Sequence, residues 1–142
     1  MIIKSQHVFQ FVTIAFENYK YAKKAKANLN HQSVFEYCKE VINNIAISSY
    51  LLVNETDVNL DEALNWVRNL PIPNGLFPML IQAVNELSDR SMPFFNYILS
   101  LPTSISNMLL VKDALVELLD NIEKRDEEES FTESINFWRN QL

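Results

Sequence analysis

Along most of the chain, apolar residues return at alternating intervals of four and three. The first set is Val8, Val12, Ala15, Tyr19 and Ala22, the spacing of one face of an α-helix. It predicts a long amphipathic helix over about 6–29, with Ser5 placed to cap it. Lys20, Lys23, Lys24 and Lys26 gather in its last turns, where cations complement the helix dipole. The stretch NLNHQS breaks the pattern and offers Asn30 or Ser33 as the next cap. A second stripe, Val34, Cys38, Val41, Ile45 and Leu52, is widened by Phe35, Ile42 and Ala46. A face this broad predicts a helix over about 34–53 buried by more than one neighbour. After a polar loop, Asn59 and Glu62 form a capping-box-like start to a short helix carrying Ala63, Leu64, Trp66 and Val67 and ending near 70.

The pattern then stops abruptly. NLPIPNGLFP, residues 69–78, holds the only glycine and three of the five prolines. Pro71 ends the preceding helix, the residue before Pro73 is driven extended, and Asn74-Gly75 supplies a positive-φ turn. This predicts a stiff, reversing connector over about 70–78 between two groups of helices. Pro78 suits the first turn of a helix over about 76–87. Ser91 caps a short segment, 92–101, whose apolar residues wrap most of its circumference, so it is expected at the centre of the fold. Met108, Val111, Leu115, Leu118 and Ile122 mark a long helix over about 105–124. Beyond the acidic break DEEES, Ser130 with Glu133 is read as the start of a last helix with Phe131, Ile135, Trp138 and Leu142 on one face.

Composition agrees with this periodicity. One glycine in 142 residues is far below the usual ~7%, and sheets of many short strands need glycine at their turns. The expected fold is all-α: one domain over 1–142, an irregular bundle of six or seven helices around the apolar segment 92–101. A single cysteine, Cys38, excludes an internal disulfide and fits a reducing compartment. No apolar run reaches the length of a membrane span and no secretory signal is convincing. The expectation is a cytoplasmic protein with no membrane association.

Charge is unevenly placed. Residues 1–53 carry six lysines against three glutamates, and 54–142 carry six basic against fifteen acidic residues, within a net charge of −6. An acidic chain is a poor binder of duplex nucleic acid, because the phosphate term dominates that affinity. The lysine end of the first helix is the exception. Lys20, Lys23 and Lys24 share a face with Tyr19 and Tyr21 nearby, a combination suited to single strands; a solvated helix end, or a partner for the chain's own acidic half, is the plainer expectation.

Chemistry is sparse. His7 and His31 sit at opposite ends of the first helix, roughly 36 Å apart by helical rise, so they cannot share a site within one chain. Cys38 lies on an apolar stripe, where an inert core thiol is expected. There is no Cys pair and no His-x-x-x-His. DVNLDE begins like a calcium loop but has Glu62 where glycine is needed and Arg68 where the closing glutamate belongs. Glu36 and Glu40, one turn apart, read as surface carboxylates. No catalytic, cofactor or metal site is expected, and the chain is read as a non-enzyme.

Two surfaces remain. The C-terminal stripe Phe131, Ile135, Trp138 and Leu142 must be buried against its own bundle, a second copy or a partner's groove, since so short a helix is marginal alone; with Phe137 these residues make the candidate partner surface. Docking on the chain's own bundle is the favoured arrangement. Phe9, Phe16, Val116 and Phe137 fall beside or opposite the main stripes, and for each of them core burial is the plainer expectation. The functional expectation is a helical protein–protein interaction module of the immunity, antitoxin, inhibitor, adaptor or small-chaperone type, partnered by another protein or a second copy. The alternative is a nucleic-acid-associated subunit using Lys20, Lys23 and Lys24.

Overall fold

The structure, a computed structural model, describes residues 5–69, 103–126 and 129–142. Among them are five helices and no strand: α1 (Ser5–Ala27), α2 (His31–Asn54), α3 (Leu60–Arg68), α4 (Thr103–Arg125) and α5 (Thr132–Gln141). The connector expected at 70–78 and the helices expected at 76–87 and 92–101 lie outside the described residues.

The stripes form the core. Val8, Val12, Ala15, Tyr19 and Ala22 of α1 are buried against Val34, Cys38, Val41, Ile45 and Leu52 of α2, with Met108, Val111, Leu115, Leu118 and Ile122 of α4 in the same apolar cluster. Among the described helices α2 is the hub, packed against α1, α3 and α4. Its broad face explains why: Phe35, Ile42 and Ala46 bury the flanks that a two-helix contact would leave wet. Two polar residues share this interior and are satisfied locally. The Ser48 hydroxyl donates to the Asn44 carbonyl at 2.7 Å and the Asn44 amide to that of Glu40 at 2.7 Å, so neither leaves a bare dipole in the core.

The turns among the described residues are closed without glycine. α1 ends in a Schellman arrangement: the Asn30 amide donates to the Ala25 carbonyl at 2.9 Å and the Leu29 amide to that of Lys26 at 3.0 Å. Leu29 takes the left-handed conformation there, at φ 57°. Asn30 then caps α2, its side chain accepting from the Ser33 amide. The Asn59 side chain accepts from the Glu62 amide at 2.8 Å and donates to the Glu62 carboxylate at 3.0 Å. The capping box is thus closed through side chains, and DVNLDE serves as loop plus cap.

The start of α5 differs from the reading of Ser130 as its cap. The residue at the cap position is Phe131, with no side-chain cap bond. The Asp126 carboxylate reaches forward instead, accepting from the Ser130 and Phe131 amides, each at 2.8 Å. These amides precede the first turn of α5, so the carboxylate fixes the approach to the helix through charge-assisted bonds and places negative charge near its positive end.

Candidate functional site

The aromatic residues of α5 fix its place. Phe131, Ile135 and Trp138 are buried in the chain's own core, and Leu142 packs half-buried against it. The Trp138 ring lies between two rings of α1, tilted at 5.4 Å from Phe9 and stacked at 5.8 Å from Phe16. Phe9 and Phe16 are seven residues apart, two turns along one flank of α1, so a single indole fills the notch between them. This interaction with α1 accounts for the burial of Phe16, while Phe9 stays 45% exposed.

Polar ties lock the helix on either side. Arg139 pairs with Asp120 at 3.0 Å and with Glu123, both on α4. On the other side Lys23 of α1 donates to the Gln141 carbonyl at 3.2 Å, at the negative end of α5 where a cation is favoured. The Lys23 ammonium also lies 5.2 Å from the centre of the Tyr19 ring, within cation–π range.

The candidate residues therefore separate. Phe131, Ile135 and Trp138 are spent on internal packing, and Leu142 largely so. Phe137, at 62% exposure, is the one large apolar side chain of α5 turned to solvent. Of the lysines, Lys23 is engaged within the chain, whereas Lys20 and Lys24 project from α1 into solvent. Phe9 and Val116 are exposed rather than buried, because each lies on the shoulder of its helix, where a helical wheel cannot say whether a neighbour arrives.

Elsewhere the groups that chemistry would need are dispersed. Burial pushes the Cys38 thiol up to about 12, and its sulfur lies 3.5 Å from the Met108 sulfur. A thiol so protonated is not a nucleophile at neutral pH. His7 Nδ1 is 3.4 Å from an Asp57 carboxylate oxygen, a pair exposed on both sides. A shallow cleft between α4 and α5 is lined by Glu123, Asp126, Glu129 and Arg139, but Asp126 is occupied by backbone amides and Glu123 by Arg139. Among the described residues no group of three His, Cys, Asp or Glu could hold a metal ion, and no helix is long and apolar enough to cross a membrane.

Comparison of the chain with family models, with curated proteins and with solved structures found no match.

Proposed function

We propose that this chain is a non-catalytic helical module that binds another protein, in the manner of an immunity protein, inhibitor, adaptor or small chaperone, in the cytoplasm. The observation that carries the reading is Phe137. It stands exposed on a helix held by three ties, Trp138 between two rings of α1, Arg139 on α4 and Lys23 of α1. A fixed, solvent-facing aromatic loses little entropy on binding, which is what an anchor residue needs. On this reading residues 1–142 form one domain of six or seven helices, the apolar segment 92–101 among them, with the 70–78 connector joining its two groups.

The test is photo-crosslinking from position 137. A photoreactive phenylalanine analogue there, irradiated in extract of the native cell, is expected to give a discrete adduct with one protein. The same analogue at exposed Thr132 should give none. An identical pattern from both positions would sink the reading.

A second reading, binding of single-stranded nucleic acid, is favoured by one arrangement: Lys20 and Lys24 lie exposed one turn apart, with Tyr21 half-exposed beside them. Salt-sensitive retention of the chain on an immobilised oligonucleotide separates it from the first.

A further inference from the structure

Which flank of α5 carries Phe137 follows from its neighbours. Successive residues of a helix are turned by about 100°. Trp138 faces α1, and Arg139, one step round, faces α4. Phe137 is one step the other way, about 100° from the direction that faces α1 and on the flank of α5 away from α4. Phe9 borders the same seam from across it, touching Trp138 while half in solvent. The two exposed phenylalanines thus flank one buried indole.

Lys20 belongs to the same line. It follows Phe9 by eleven residues, close to three whole turns, so both lie on one side of α1 about 16 Å apart along its axis. Lys24 continues the line one turn further. Lys23, between them, donates to the Gln141 carbonyl, which holds its side chain on the seam while its charge remains. The acids near the seam do not cancel this pattern. Glu133 precedes Phe137 by one turn and sits at the aromatic end; Glu17 lies about 60° round α1 from Lys20 and about 20° from Lys24, one exposed acid against Lys20, Lys23 and Lys24.

We infer that the α1–α5 seam is a docking surface for an acidic amphipathic helix of a partner protein, with an apolar side chain seated over Phe9 and Phe137 and carboxylates about three turns along, at Lys20 and Lys24. The inference rests on the interaction-module reading and deepens it by naming surface and partner chemistry. Charge complementarity selects the occupant: on a chain of net charge −6, Lys20 and Lys24 are exposed cations without an ion-pair partner among the described residues, and they stand at the end of the seam opposite the two exposed rings. A nucleic-acid strand would need cations along its whole track; here the aromatic rings and the free lysines are three turns apart.

The test is selection of displayed peptides of about sixteen residues, long enough to span the line as a helix, from a library unbiased in charge, against the full chain. Enriched sequences are expected to be amphipathic, with a large apolar residue about eleven positions from a pair of acids. Phe137→Ala should weaken their binding about tenfold or more. Lys20→Gln with Lys24→Gln should weaken it about three- to tenfold and flatten its salt dependence. Both variants should melt as the wild type does. Enrichment of neutral or basic sequences, equal binding by Phe137→Ala, or no enrichment would overturn the inference. So would tighter binding of oligothymidylate that is lost in the double lysine variant, which would give the seam to nucleic acid. If these variants fail to alter a partner crosslinked from native extract, the module reading stands and this surface falls; if neither extract nor library yields a partner, both fall.

Discussion

Two single residues show how a turn closes where no glycine stands and what burial does to a thiol. Leu29 closes α1 at φ 57° and 76% exposed, a conformation that costs a side chain with a Cβ roughly 1–2 kcal/mol. Leu29→Gly relieves that cost and gives back part of it as unfolded-chain entropy. The net expectation is a gain of about 0.5–1 kcal/mol, read from the urea midpoint; a loss would mean that Leu29 makes contacts its exposure denies. Cys38 works through pH. Its proton leaves the unfolded chain at roughly pH 8.5 but the folded one only near 12, because of burial. The contribution to stability is therefore complete below about pH 8.5 and is lost as pH rises toward 12, by up to about 1.4 kcal/mol per unit. Tyr19, raised by burial and by the neighbouring Cys38, adds in the same sense. Urea midpoints between about pH 8 and 10 should fall less steeply for Cys38→Ala than for the wild type. Equal slopes would mean that the thiol is less buried than the structure has it.

At the scale of elements, the buried stripes of α1, α2, α4 and α5 were legible in the sequence because a helix half-covered by its neighbours repeats its apolar residues at its own pitch. The caps at Asn30 and Asn59 were legible for a similar reason: they are local, three residues from cap to amide. What escaped was the shoulders and the long-range ties. Phe9 and Phe16 look alike on a wheel, yet Trp138 covers one and only borders the other. The Asp126 carboxylate bonds the Ser130 and Phe131 amides ahead of α5 through a loop geometry that spacing does not encode. For the candidate site, the need to bury Phe131, Ile135 and Trp138 could be read, but the surface that buries them could not. A ten-residue helix is marginal alone, so Trp138 decides whether α5 stays docked. Trp138→Ala should cost about 3–5 kcal/mol and expose the α5 amides to hydrogen exchange. Phe137→Ala, one position away, should change stability by under about 0.5 kcal/mol. A thermal melt in which both variants behave alike would contradict the docking described.

On the scale of the whole chain, charge is sorted in part: Lys20, Lys23, Lys24 and Lys26 gather toward the end of α1, while half of the acids lie in α4, α5 and the run between them. Lys23 to Gln141 and Arg139 to Asp120 and Glu123 use part of each set internally. What remains on the basic side is too little to overcome a net charge of −6 against a phosphate polymer. Wild-type protein is expected to show no measurable affinity for oligothymidylate at about 0.15 M salt, where charges are screened beyond roughly 8 Å. A sub-micromolar dissociation constant by fluorescence anisotropy would reverse the order of the two functional readings.

The Lys23–Gln141 bond joins positions 118 residues apart, whereas α1 and α2 meet across a turn of three residues, 28–30. Closing a long loop costs entropy before any contact repays it, so the two events belong to different stages of folding. The α1–α2 hairpin is suited to the rate-limiting nucleus and the docking of α5 to its aftermath. Trp138→Ala should therefore hasten unfolding while leaving the refolding rate nearly untouched, and Val41→Ala, in the middle of the hairpin, should slow refolding. Stopped-flow chevrons of the two variants measure this, and a refolding arm slowed by Trp138→Ala would place α5 in the nucleus. If docking comes late, the Phe9–Phe16 notch stands open on a nearly complete chain, and a free indole or a peptide bearing tryptophan could compete for it in that interval.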